Sequence, residues 1–263
     1  MKNKLVFLLS TLLFTVNIGF AQQNGPYSLN LKNDAIVLGL GTGLSIFSYL
    51  RESNTIGLSK NEILNLDRNN VNPFDRIAIN NSSEPAAILS DIGLLASLAA
   101  STSLVVPKSA RKDFKKIFVM GIEAVTLNYA ATYLTKTAFL RNRPYMYRDQ
   151  TPFDQNDKDG RLSFISGHSS FSAVSMVFVY TSLTPYLKND LYKNLLLTST
   201  ILIPTTVAYL RVKAGKHFPT DVIAGVTTGA LIGYLVPNLH KSESNKLSFT
   251  PYGSGFSLTY TIH

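Results

Sequence analysis

The sequence predicts an all-α protein: a membrane-embedded six-helix bundle closed by a short C-terminal β-hairpin. Three observations carry this. Six apolar segments of helical length follow one another, at residues 35–50, 85–106, 117–135, 169–187, 195–210 and 221–239. Charged residues make up only 16% of the 263, against ~25% in soluble globular proteins. Apolar residues alternate with Ser and Thr only at the tail, in Leu247, Phe249, Phe256, Leu258, Tyr260 and Ile262, which is strand periodicity. Mean hydropathy is a modest +0.11, so a soluble helical protein is the alternative.

The elements follow in order. Residues 1–21 read as an export signal: a positive Met1–Lys4, an apolar Leu5–Phe20, and Gly19 and Ala21 at the small-residue positions before a cut. Residues 22–84 form an N-terminal extension with one short apolar helix at 35–50, too short for a bilayer crossing of ~20 residues, and a polar excursion over 51–84. Residues 85–240 form the helical domain. Its second segment is interrupted by Asp91 and its third contains Glu123. The sixth is rich in Gly and Ala, which permits close helix packing. Residues 241–263 are a tail in which Gly253-Ser254-Gly255 suggests the hairpin turn.

Net charge is +9. With no nucleic-acid motif and no long basic run, the expected partners are anionic lipid or an anionic substrate, not nucleic acid. Cysteine is absent, so no disulfide is possible. Asp154 to Gly160 hints at a calcium loop, but aligning Gly160 to the required glycine puts Gln155 first and Ser166 last, where glutamate belongs.

Three clusters carry chemistry. Lys136 and Arg143 are seven residues apart, so on one helix they project from nearly the same face, and Pro144 is expected to end that helix. Ser166-Gly167-His168 opens the fourth helix. Free backbone N–H groups there bind anions, Gly167 lets the backbone approach a phosphate, and His168 suits proton transfer to a leaving oxygen. Arg211, His217 and Asp221 lie between helices five and six. Asp221 is placed to reach one imidazole nitrogen of His217 and leave the other free to attack. In an up-down bundle the ends of helices three and five and the starts of four and six share one side, so the clusters converge.

The ordered pattern Lys136-x6-Arg143-Pro144, Ser166-Gly167-His168 and Arg211-x5-His217-x3-Asp221 resembles the type 2 phosphatidic acid phosphatase (PAP2) superfamily, which also holds bacterial acid phosphatases and vanadium haloperoxidases. The resemblance covers about residues 85–240. It implies His217 as the nucleophile of a phosphohistidine intermediate, Asp221 as its orienting carboxylate and His168 as proton donor. Lys136, Arg143, Ser166, Gly167 and Arg211 hold the phosphoryl oxygens. It implies no cofactor and no metal in the reaction. Ile165 stands where a proline usually precedes Ser-Gly-His, and Leu210 where a serine usually precedes the arginine.

The expected function is a lipid phosphatase acting on phosphatidate, phosphatidylglycerol phosphate, a polyprenyl diphosphate or lipid A phosphates. The alternatives are a soluble periplasmic acid phosphatase, a vanadate-dependent haloperoxidase and an inactive membrane scaffold. The basic stretch 107–116 should face the cytoplasm, which directs the clusters to the periplasm provided that 35–50 does not cross.

Overall fold

The computed structural model describes residues 25–101, 107–148, 157–242, 247–252 and 255–260. The proposed signal, residues 154–156 of the calcium-loop stretch and the hairpin turn at Gly253 and Ser254 lie outside the described residues. Six long helices organise what is described: α1 (Leu31–Ser53), α2 (Glu84–Ala100), α3 (Phe114–Phe139), α4 (Gly167–Leu183), α5 (Asp190–Lys213) and α6 (Pro219–Leu239). Each start has a local cause. Asn30, Ser83, Ser166 and Asn189 accept hydrogen bonds from first-turn backbone N–H groups of α1, α2, α4 and α5. Proline stands in the first turn of α2 and α6, where its missing N–H costs nothing.

α4 runs through the middle of the bundle. Its serines and alanines are buried, and its polar groups pair across helices. Ser170 donates to Asn128 of α3 at 2.6 Å, and the Ser97 and Ser172 hydroxyls are 2.7 Å apart. α6 packs on it through Gly225, Gly229 and Gly233. A Cβ there would lie 2.6, 2.1 and 2.7 Å from the carbonyl oxygens of Ser166, Ser170 and Val174, so this crossing requires glycine. An apolar core including Ile117, Met120, Val174, Phe178 and Val236 fills the space between α3, α4 and α6.

Two sequence expectations change. The helix expected over 35–50 is 23 residues long and lies along α3, tied by Ser45 donating to the Thr126 carbonyl at 3.4 Å. It is part of the bundle, not an appendage. α3 stops at Phe139, five residues before Pro144, because Leu140 adopts a left-handed conformation (φ 44°) and caps the helix by donating to the Lys136 carbonyl at 3.0 Å. Pro144 instead opens a 3₁₀ turn, Pro144–Tyr147, and Arg143 before it is extended. Lys136 and Arg143 therefore do not share a helical face.

The excursion after α1 holds a short helix, Lys60–Leu64, and two 3₁₀ turns, Arg68–Asn70 and Arg76–Ala78. It folds onto the start of α6, where Val71, Ala78, Ile79 and Phe218 form a second small core. At the tail, β1 (Leu247–Tyr252) and β2 (Gly255–Tyr260) pair antiparallel, Leu247 opposite Tyr260.

Phe114–Tyr147, Asp190–Lys213 and Pro219–Leu239 are long and apolar enough to cross a membrane, by length and composition. Large apolar side chains are exposed along the bundle, among them Phe47, Ile92, Leu95, Ile201, Leu202, Ile223 and Leu231. A soluble surface rarely shows so much.

Candidate active site

The chain passes the same end of the bundle repeatedly, and each passage leaves one of the side chains that the sequence singled out. At the end of α3, Lys136 is buried and donates from Nζ to the Leu162 carbonyl at 2.5 Å. The left-handed Leu140 turns the chain so that Arg143 enters from a loop. Arg143 is fixed by its Nε donating to the Asp159 carbonyl at 2.8 Å and its Nη2 to the Asp159 carboxylate at 2.6 Å. Its Nη1 lies 3.4 Å from His217 Nε2.

Ser166 caps α4, and its N–H donates to the Asp221 carbonyl at 3.0 Å, which locks the start of α4 to the start of α6. A Cβ on Gly167 would meet only Thr132 Cγ2, at 3.7 Å. The protein does not itself crowd that position. His168 is partly exposed, and its Nε2 lies 2.7 Å from Asp91 Oδ1.

Arg211 is buried in the last turn of α5. Gly215 (φ 64°) then reverses the chain, with Gly215 N–H donating to Val212 and Lys216 N–H to Arg211. A side chain at 215 would strike the Asn81 carbonyl, 1.9 Å from its Cβ. This turn delivers His217 to the bundle interior, where it is 1% exposed.

His217 Nδ1 and Asp221 Oδ2 are 3.6 Å apart. They face each other without a hydrogen bond. Asp221 is engaged elsewhere: Oδ2 accepts from Ser163 Oγ at 2.5 Å and Phe218 N–H at 2.9 Å, and Oδ1 from Arg141 at 2.5 Å. Burial comes first, and then the charges of Arg143, Lys136, Arg211 and His168, in holding the His217 pKa well below the ordinary imidazole value. The side chains of all three sequence clusters therefore act electrostatically on one imidazole.

Sequence reasoning missed the residues that hold these side chains in place, Ser163 and Asp159 above among them. Arg141 spans Asp221 and Asp75, donating to each at 2.5 and 2.6 Å, and its guanidinium sits 4.3 Å from the centre of the Phe218 ring. Asp75 also accepts from the Thr220 N–H and hydroxyl. Burial raises the Asp75 pKa, but the bonds from Arg141 and Thr220 outweigh it and leave the carboxyl lowered. Ser90 accepts from Arg211 at 3.2 Å, and Asp91 sits 3.5 Å from the same guanidinium. Asp91 had a signal, as a charge inside an apolar helix. Asp75 had none.

Buried polar atoms lacking a hydrogen-bond partner among the described residues include His217 Nδ1 and Arg211 Nε. Arg211 Nε, left unsatisfied near the like charges of Arg143 and Lys136, suits an anion that accepts from several cations at once.

Comparison with known proteins agrees with this chemistry. Residues 118–244 match the family model of the PAP2 superfamily. A 101-residue stretch is 38% identical to phospholipid phosphatase 1 of Rattus norvegicus, covering 35% of this chain and 36% of that one. A 127-residue stretch is 27% identical to lipid A 4'-phosphatase of Porphyromonas gingivalis, covering 46% of this chain and 50% of that one. The chain thus spans about half or less of the length of these two relatives. A transmembrane PAP2 type phosphatidylglycerolphosphate phosphatase from Bacillus subtilis, known by crystal structure, is 20% identical over 76% of this chain and 94% of its own, with a TM-score of 0.34.

Proposed function

Because residues 118–244 belong to the PAP2 superfamily, we propose that this membrane protein is a lipid phosphatase working through a phosphohistidine. The observation that carries the reading is a neutral, buried His217 surrounded by Lys136, Arg143 and Arg211. The three cations bind the equatorial phosphoryl oxygens, with help from Ser166 and the Gly167 backbone at the start of α4. His217 Nε2 attacks phosphorus, forming the P–N bond as the P–O bond to the lipid breaks. His168 gives its proton to the departing oxygen, then takes one from the water that attacks phosphohistidine. Orthophosphate leaves and His217 is regenerated. Catalysis here is positioning plus charge stabilisation.

Asp221 faces Nδ1 and favours the imidazolium character that develops during attack. Arg141 and Ser163 hold Asp221 for that task. Asp91 is a positioning residue: its carboxylate beside His168 favours the protonated imidazole that a general acid needs, and it orients the ring.

The substrates proposed are monoesters or diphosphates of lipids, of the phosphatidate, phosphatidylglycerol phosphate, polyprenyl diphosphate or lipid A kind, with the site at the periplasmic face. Because α1 runs beside α3 towards the site, this orientation puts Leu31 on the cytoplasmic side and replaces the export-signal reading of residues 1–21. The apolar exterior favours this over a soluble phosphatase. The basic side chains Lys108, Arg111, Lys112, Lys188 and Lys193 sit at or next to the helix ends away from the site, which supports their lying in the cytoplasm. The test is phosphate release from a panel of these lipids in detergent micelles. His217→Ala should lose nearly all turnover while remaining folded. Wild-type turnover in that variant would overturn the nucleophile assignment.

A further inference from the structure

The opposite end of the bundle holds a second buried cluster: Asp34 in the first turn of α1, Glu123 in α3 and His240 at the end of α6. His240 Nδ1 lies 2.8 Å from the Val236 carbonyl. A carbonyl only accepts, so that nitrogen carries the proton. The other nitrogen, Nε2, faces two carboxylates, with Asp34 Oδ1 at 3.1 Å and Glu123 Oε2 at 3.3 Å. An imidazole anchored through Nδ1–H to a carbonyl, with Nε2 turned to other donors, is the arrangement that orients metal-binding histidines.

Two further observations point the same way. Glu123 is fully buried, and among the described residues neither of its oxygens receives a hydrogen bond. A buried carboxylate in that condition is costly unless a cation meets it. The three candidate donor atoms lie within 4.8 Å of one another. Donors on a tetrahedral zinc ion, at bond lengths of about 2.0–2.1 Å, sit about 3.3 Å apart. The 3.1 and 3.3 Å separations from His240 Nε2 to Asp34 and Glu123 match that edge. Two carboxylates and one neutral imidazole also balance a doubly charged ion.

We propose that Asp34, Glu123 and His240 bind one divalent transition-metal ion, with zinc the best match for the donor set and spacing. The ion ties α1, α3 and α6 together. It stands about 30 Å from the phosphate pocket by the length of α6, so its role is structural and independent of the reading of that pocket.

The test uses untagged full-length protein in detergent, stripped with EDTA, dialysed, and titrated with Zn²⁺ alone. Metal analysis should find about one zinc per chain, and the thermal midpoint should rise with free zinc. Asp34→Asn, Glu123→Gln and His240→Ala should each lose the bound zinc and the zinc-dependent rise, while His217→Ala keeps both. Should one variant fail to fold, the wild-type stoichiometry and the remaining variants decide. A wild-type protein that takes up no zinc and shows no shift overturns the proposal and leaves His240 as an imidazolium between two carboxylates. Full zinc binding in Glu123→Gln or His240→Ala overturns it as well.

Discussion

The proposed attack needs His217 as a neutral imidazole, and its surroundings favour that form. An unfolded chain's histidine takes up a proton as pH falls through about 6.5. The buried His217 resists until lower pH, so folding stability declines below that point. The thermal midpoint should therefore drop less between about pH 7 and pH 5.5 in His217→Gln than in the wild type, and an equal drop in both would remove His217 as the cause. Asp91 is testable at the same scale. Asp91→Asn should lower kcat by about tenfold or more with KM little changed, because general-acid function is worth roughly 10²–10⁴-fold. Asp91→Glu should restore part of it. A purely structural Asp91 would instead reduce the folded fraction and leave kcat per folded molecule unchanged. Arg141→Ala removes the partner of two fully buried carboxylates. It should cost about 3–5 kcal/mol of stability, read as a fall in denaturation midpoint.

Helix α6 carries the sharpest prediction for an element. At Gly229 a Cβ meets the Ser170 backbone carbonyl at 2.1 Å, and a backbone cannot step aside as a side chain can. Gly229→Ala should force α4 and α6 apart, cost about 1–3 kcal/mol or more, and depress activity by moving His168 from His217. Gly39→Ala, inside α1 with nothing within 4 Å of the added methyl, should leave activity unchanged and raise stability by about 0.5–1 kcal/mol. The glycine-rich character of 221–239 was legible in the sequence, and so was the reading of Arg211, His217 and Asp221 as one turn, since local spacing sets both. The end of α3 was not legible. A left-handed leucine has no compositional signature, and Pro144 supplied a plausible but false stop. The chain Asp75–Arg141–Asp221 was equally hidden, since Asp75 and Arg141 lie 66 residues apart and only the folded excursion brings them together.

The whole molecule is an up-down bundle in which the ends of α1, α3 and α5 and the starts of α2, α4 and α6 face the candidate active site. That arrangement puts Asn70 at the site end and Lys188 at the other. The chain contains no cysteine, so single cysteines introduced at these exposed positions report without background. If the site faces the periplasm, a membrane-impermeant maleimide added to intact cells should label Asn70→Cys and spare Lys188→Cys; the reverse pattern inverts the topology. The gathering of Lys136, Arg143 and Arg211 around one imidazole has a last consequence. In the empty site these like charges strain against each other, and any small tetrahedral oxyanion relieves the strain. Spent orthophosphate should therefore linger as a competitive inhibitor and as a thermal protectant, whereas chloride at equal ionic strength should do neither.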